Sequence, residues 1–164
     1  MHSAVRHYAI VTAAYWGFTL TDGALRAVRT DGSVAENVFA VGDVARFTNP
    51  IFDDVPRRVE HWNIPTDSAK RDGQVLAAQL AGDDASLLLA EPFAPIPSFW
   101  SDQYDIHLLA FGLLGLADEI KLLHGEIEGE CVFGYYRESR MVGVAGIGMR
   151  STVQGYRSEF KLEG

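Results

Sequence analysis

The chain has 164 residues with 22 acidic and 14 basic side chains, a net charge of −8, and one cysteine. This length predicts one domain, or one domain and part of another. The acid excess argues against a nucleic-acid-binding protein, which normally carries a basic patch. A single cysteine, Cys131, excludes an internal disulfide framework and an all-cysteine metal site. The absence of disulfides also indicates a reducing, cytoplasmic compartment.

The first third of the chain is predicted to contain short strands. Residues 8–20 are apolar but too few for a membrane span, so we expect a buried strand or helix there and no membrane association. Residues 24–28 alternate weakly between apolar and polar side chains. The apolar run 37–41 ends at a Gly-Asp pair, which is typical of a strand buried on both faces of a parallel sheet. Residues 46–57 hold two prolines and paired aspartates and are predicted to form a loop.

One helix is predicted from Pro65 to Leu80. Proline suits the first turn of a helix, and Gly82 is placed to end it. Beyond it, three prolines within six residues predict an extended connector, which we place at residues 83–97. The buried face of the helix is expected to hold Ala69, Val75, Leu76 and Leu80.

The last part of the chain, residues 98–164, is predicted to form a small, mostly antiparallel sheet with a flanking helix. Glu138 and Ser139 suit a hairpin turn, and Ser151 suits the cap of a helix that runs to residue 162. The predicted fold class is therefore α+β, preceded over residues 1–82 by the remainder of an α/β domain. The five strand candidates are residues 98–104, 106–111, 120–124, 130–137 and 141–147.

Few motifs that mark a known chemistry are present. The sequence contains no Walker loop, no Gly-x-Ser-x-Gly, no Cys-x-x-Cys and no His-Glu-x-x-His. Gly42–Asp43 would place a carboxylate at the carboxyl edge of a sheet, where open α/β folds bind ligands, although an ordinary turn explains the pair equally well. Trp62 and Trp100 each adjoin polar residues, a combination that suits a planar heteroaromatic ring, although aromatic side chains more often belong to a core.

Three segments, taken in order, resemble one known family. They are FAVGDVARF at residues 39–47, RVEHWN at 58–63 and PSFWSDQY at 97–104. They resemble the carboxyl-terminal part of the FAD-dependent NAD(P)H:ferredoxin and rubredoxin reductases, a family that includes the reductases of dioxygenase systems. The resemblance begins near residue 36 and runs to the end, and its third segment is the most specific. It implies that a small α+β interface domain follows the last part of an FAD-binding domain.

The resemblance also implies roles for individual residues. Asp43 resembles the aspartate that hydrogen-bonds the FAD ribitol. Trp62 matches a position whose backbone lies against the pyrimidine end of the flavin, and Trp100 resembles the tryptophan beside the isoalloxazine ring, near where electrons leave. No catalytic residue and no metal ligand is assigned. The predicted cofactor-binding residues are Gly42, Asp43, Val44, Glu60, His61, Trp62 and Trp100.

The implied function is the carboxyl-terminal portion of a flavoprotein oxidoreductase that passes electrons from NAD(P)H through FAD to a ferredoxin or rubredoxin. The sequence contains no Gly-x-Gly-x-x-Gly fingerprint, and such a loop normally holds the pyrophosphate of the cofactor. We therefore interpret the chain as the final third of such an enzyme, without the FAD and NADH fingerprint domains. We expect it to bind FAD weakly or not at all and to be inactive by itself.

Two other hypotheses remain open. The chain could be a non-catalytic association or dimerisation module that binds no FAD, or an unrelated small-ligand α+β protein. If it is the final third of a larger enzyme, apolar groups left without cover favour self-association into a homo-oligomer. The groups expected to lack cover lie at residues 8–18, Phe39, Ile51, Phe52 and Trp62.

Overall fold

The computed structural model describes residues 9–11 and 18–162 of the chain. The chain divides into two compact units, the first up to Pro95 and the second from Ile96 onward. Sheets and a few helices make up both, so the predicted α+β class is confirmed. No helix among the described residues is both long enough and apolar enough to cross a membrane. The apolar segment predicted at residues 8–20 lies largely outside the described residues.

The first unit contains two three-stranded sheets. Its described strands are β1 (Ala9–Val11), β2 (Thr19–Leu20), β3 (Arg26–Val28), β4 (Val34–Ala40), β5 (Ala45–Asn49) and β6 (Asp53–Arg57). In one sheet, β4 is central and pairs parallel with β1 and antiparallel with β3. In the other, β5 is central and pairs parallel with β2 and antiparallel with β6. The strand predicted at residues 37–41 is therefore part of β4, and its parallel partner is β1.

The loop predicted at residues 46–57 is wrong, because these residues form most of the β5–β6 hairpin. Side chains in β5 alternate, with Phe47 and Asn49 buried and Arg46 exposed between buried neighbours. The Phe52 amide donates to the Asn49 carbonyl at 2.9 Å and closes the turn. Pro56 is tolerated because β6 is the edge strand of its sheet, where a missing amide donor costs no ladder hydrogen bond.

The predicted helix is present as α1 (Asn63–Ala81), and Gly82 ends it in the left-handed conformation with φ +80°. Its predicted buried face is correct for Val75, which is buried, and for Leu76, which packs against the core, and wrong for the other two residues. Ala69 and Leu80 are exposed, whereas the side chains that α1 buries recur every three or four residues and include two polar groups. They are Ile64, Ser68, Asp72 and Val75.

The core of the first unit covers three apolar side chains that were predicted to lack packing partners. Val75 of α1 packs with Phe39 of β4 and with Ala85, just before the short helix α2 (Ser86–Ala90). Phe39 is fully buried, and Ile51 and Phe52 are each only 6% exposed, so these three groups do not lack cover as predicted. Trp62, by contrast, is 73% exposed. The proline-rich residues 92–97 are extended, but α2 lies within the range predicted as connector.

The second unit is built on one antiparallel sheet with the order β7-β8-β11-β10-β9, and all five predicted strands are confirmed. Glu138 and Ser139 connect the last two strands with φ of +51° and +66°, the signature of the predicted two-residue hairpin turn. The strands are β7 (Ser98–Gln103), β8 (Ile106–Gly112), β9 (Glu119–Gly125), β10 (Cys131–Arg137) and β11 (Arg140–Ile147).

A terminal helix, α3 (Arg150–Gly155), packs on this sheet and continues into a 3₁₀ turn at Tyr156–Glu159. Met149 rather than Ser151 precedes its first turn, and no side chain caps it, so the predicted cap is wrong. Val153 is fully buried against Gly146 of β11, where an added Cβ would lie 2.5 Å from the Val153 Cγ2 atom. The glycine therefore makes room for the helix.

Candidate functional site

The predicted Gly-Asp pair forms a tight turn between β4 and β5. Residues Gly42–Val44 make one turn of 3₁₀ helix, and Gly42 has φ +74°. The Gly42 amide donates to the Ser68 Oγ atom of α1 at 3.1 Å, and a Cβ at this glycine would lie 3.4 Å from the Pro65 Cβ atom. The element that approaches Gly42 closely is therefore the first turn of α1. Asp43 remains exposed at the end of the strand.

A cavity of about 230 Å³ opens beside this turn. The side of the cavity opposite Asp43 comes from the segment that leads into α1. Gly42 and Val44, which flank Asp43 in the chain, are buried, so they hold the turn in place rather than line the cavity. The structure thus brings together four of the seven predicted cofactor-binding residues. The lining residues are Asp43, Glu60, His61, Trp62 and Pro65.

The two carboxylates of the cavity have different surroundings. Glu60 forms an ion pair with Arg58. The Asp43 carboxylate accepts no hydrogen bond from any described residue, although the Asp43 backbone carbonyl accepts one from the Arg58 Nε atom at 2.9 Å. Asp43 is therefore the hydrogen-bond acceptor that remains available to a ligand.

Trp62 gives the cavity an exposed aromatic surface. Trp62 directly precedes α1 and is the more exposed of the two tryptophans that the structure describes. An exposed indole is unfavourable in water unless something packs against it, because its apolar area is large. Trp62 is thus the surface on which a planar ring could lie.

The lining residues fit part of FAD and not all of it. A free carboxylate and an exposed indole suit the hydroxyls of a ribityl chain and the face of a heteroaromatic ring. No lysine or arginine is among the residues that line the cavity, so it offers no charge for a pyrophosphate. Its volume is also below the roughly 300–1,000 Å³ of a complete small-molecule pocket. The residues therefore fit one wall of a flavin site.

Trp100, the seventh predicted residue, lies in the second unit. It occupies the centre of β7 opposite Leu109 of β8 and is 44% exposed. On the same face of the hairpin, Asp102 and His107 form a pair with 2.7 Å between the Oδ1 and Nδ1 atoms. Trp100 thus stands on a regular, well-paired strand and presents a partly exposed ring.

Sequence reasoning missed two residues of the site. Pro65 was predicted only as a helix start, yet it lines the cavity and contacts Gly42. Arg58 lies two residues before Glu60 in an extended segment where Val59 is buried between them. Such alternation turns Arg58 and Glu60 to the same side, and this opposite-charge spacing was the available signal. Among the described residues, no group of three or more His, Cys, Asp and Glu side chains is arranged to hold a metal ion.

Comparison with known proteins finds ferredoxin reductases that are similar to this chain. Residues 98–161 match the family model described as Reductase C-terminal. The ferredoxin–NAD(+) reductase component of the anthranilate 1,2-dioxygenase system of Burkholderia cepacia is 31% identical over 113 residues, which are 68% of this chain and 25% of that protein. The ferredoxin reductase for the CYP199A2 system of Rhodopseudomonas palustris is 26% identical with a TM-score of 0.63, over 84% of this chain and 30% of that one.

The fold is shared with a further reductase. Putidaredoxin reductase, solved in a covalent complex with putidaredoxin, is 24% identical with a TM-score of 0.66, over 88% of this chain and 31% of that one. The chain spans about a quarter of the length of the curated relatives that it matches. The predicted resemblance is therefore confirmed: residues 98–161 match the reductase C-terminal family, and the chain matches the carboxyl-terminal part of a ferredoxin reductase.

Proposed function

We propose that this chain is the carboxyl-terminal portion of a flavoprotein that passes electrons from NAD(P)H through FAD to a ferredoxin or rubredoxin. The observation that carries the proposal is the cavity in which the predicted residues Asp43, Glu60, His61 and Trp62 come together. These residues come from two separate segments of the chain, and both segments were identified from their resemblance to ferredoxin reductases. The names of the relatives support the same redox role.

In this role the chain would help to bind FAD and to orient it. Bound flavin would supply the redox chemistry, which joins two-electron exchange with a nicotinamide to one-electron exchange with an iron–sulfur protein. The Asp43 carboxylate would accept hydrogen bonds from ribityl hydroxyls, because it accepts none from the described residues. Trp62 would cover part of the ring system and exclude water from it. No side chain of the cavity is required to transfer a proton.

The proposed electron acceptor is a small iron–sulfur protein. One structural neighbour, putidaredoxin reductase, was solved in covalent complex with putidaredoxin. In this chain, Trp100 is exposed on β7, and it resembles a tryptophan of the family that lies near where electrons leave. We therefore propose that the β7–β8 hairpin faces the acceptor.

The chain by itself is proposed to be inactive as a reductase. Its 164 residues contain no Gly-x-Gly-x-x-Gly sequence, and the cavity has no cationic lining residue for the pyrophosphate. A glycine-rich turn at a helix amino terminus normally supplies that interaction. FAD should therefore bind weakly and should be lost on purification.

An NMR titration tests the proposal. FAD added up to about 1 mM, the range of a weak complex, should shift the indole N–H resonance of Trp62, assigned with Trp62→Phe. Asp43→Ala should weaken this binding about tenfold or more, because a hydrogen bond to a charged group is worth about 1.5–3 kcal/mol. Asp83→Ala removes an exposed acid outside the cavity and should leave the binding unchanged. No shift at Trp62, or FAD that copurifies tightly and stoichiometrically, would contradict the proposal.

A second candidate function is an association module, favoured by the edge of the second-unit sheet. Strand β9 is an edge strand, and Ile120 and Leu122 on it are 59% and 44% exposed. Exposed apolar edge strands are templates for pairing with another chain. Light scattering separates the two: a dimer that forms with no FAD response at Trp62 would favour association, and a monomer that responds to FAD would favour the flavin site.

A further inference from the structure

One guanidinium group connects three separate segments of the first unit. The Arg58 Nε atom donates to the Asp43 backbone carbonyl at 2.9 Å. The Arg58 Nη2 atom is paired with the Glu60 carboxylate. The Arg58 Cζ atom also lies 4.5 Å from the centre of the Phe18 ring, in a cation–π contact. Two of these three contacts are with residues that line the cavity.

Each contact acts on a different property of the cavity. The hydrogen bond to the Asp43 carbonyl fixes the orientation of the turn that carries the Asp43 carboxylate. The ion pair with Glu60 compensates one of the two carboxylates, whereas the Asp43 carboxylate has no partner among the described residues. The stacking on Phe18 orients the plane of the guanidinium, because a cation prefers the face of an aromatic ring.

We propose that Arg58 is a positioning residue of the flavin wall, which holds the Asp43 turn and Glu60 in place from outside the cavity and neutralises Glu60. The inference rests on the proposed function for the identity of the ligand. The arrangement of Asp43, Glu60 and Phe18 around Arg58 can be tested without any ligand. Arg58 is not among the residues that line the cavity, so it acts through the groups that it holds.

The chemistry requires a guanidinium rather than any cation. Arginine has five donors in a rigid planar fork, so it can donate to a carbonyl and a carboxylate while its face stacks on a ring. The ammonium group of lysine is a point charge on a flexible stem and can replace the ion pair but not the three contacts together. A lysine at position 58 should therefore restore the charge and only part of the geometry.

The ligand-free test compares Arg58→Gln with Arg57→Gln. The control has the same change of charge in the neighbouring residue, and Arg57 forms its own ion pair with Asp53 on β6, away from the cavity lining. Arg58→Gln should shift the Phe18 ring protons and the Gly42 and Val44 amide resonances, with an unchanged thermal midpoint. Resonances that move no more than in Arg57→Gln would overturn the proposal.

The ligand test measures FAD and uncharged riboflavin binding through the Trp62 indole resonance. Arg58→Gln should weaken both ligands about tenfold, Arg58→Lys about threefold, and Arg57→Gln not at all, because lysine keeps the charge and only part of the geometry. Equal affinities in wild type and Arg58→Gln would overturn the positioning role. If wild type binds neither flavin, the proposed function fails, and the ligand-free resonances alone decide whether Arg58 positions Asp43.

Discussion

The two units of this chain differ in how completely they satisfy their own polar groups. The second unit is one continuous sheet of strands six to eight residues long, and its described residues contain no buried side-chain N or O atom without a hydrogen bond. In the first unit, α1 buries polar atoms of Arg71, Asp72 and Gln79 that have no hydrogen-bond partner among the described residues. Native domains leave few such atoms, so the comparison teaches that the first unit is the less self-sufficient of the two.

The largest expected effect would break the second unit at a glycine. An added Cβ at Gly112, which has φ +89°, would lie 2.4 Å from the Val142 carbonyl oxygen. Gly112→Ala should lower the free energy of unfolding by at least about 2 kcal/mol, because strained backbone and a backbone clash combine. Gly115→Ala, which has no heavy atom within 4 Å, is the control. Amide exchange in β8 and β11 measures the loss, and equal exchange in both variants would contradict it.

The intermediate effect concerns the buried acid of the first unit. Burial raises the pKa of the Asp72 carboxyl to about 7. The Arg71 guanidinium lowers this pKa, and the nearby Asp22 carboxylate raises it, but both effects are smaller than that of burial. The pKa in the unfolded chain is lower, so the unfolded state releases its proton first, and stability falls as the pH rises from about 4 to about 7. Above pH 7 the folded protein holds a buried charge that the Arg71 guanidinium compensates only in part.

Asp72→Asn should therefore stabilise the first unit at pH 8 by about 1–2 kcal/mol and have little effect at pH 4. Urea denaturation at the two pH values measures the difference. Asp83→Asn, which removes an exposed acid, should show no such dependence. A benefit that is the same at both pH values would show that the charge of Asp72 is not the cause.

The smallest effect comes from the middle of α1. Gly73 has no heavy atom within 4 Å of an added Cβ, so Gly73→Ala should raise the unfolding free energy by about 0.8–1 kcal/mol through helix propensity. Gly82→Ala has equal space but φ +80° and should be destabilising. The thermal midpoint should therefore rise for Gly73→Ala and fall for Gly82→Ala. Midpoints that shift in the same direction would contradict the different backbone requirements of the two glycines.

The second unit was predictable because its strands are paired largely through short connections. All five strands were located from the sequence, and Glu138 and Ser139 indicated the turn between the last two. The first unit was less predictable because its pairings depend on tertiary context. Pro56 suggested a loop, but an edge strand accepts a proline.

The candidate site was predictable only through its motifs. The buried face of α1 includes Ser68 and Asp72, so a search for apolar periodicity found Val75 but missed the polar part of this face. The Gly-Asp pair and Trp62 were found from their resemblance to a family. The role of Arg58 depends on segments 15 and 40 residues away in the chain that only folding brings together, as the contacts to Asp43 and Phe18 show.

The strand order of the second unit has a consequence for the kinetics of folding. The β7–β8, β9–β10 and β10–β11 pairs are each hairpins of adjacent strands, whereas β8 and β11 pair across two intervening strands. Closing that larger loop costs more chain entropy than closing a hairpin. We expect the hairpins to form early and the β8–β11 ladder, with Gly112 opposite Gly143 at one end, to set the folding rate.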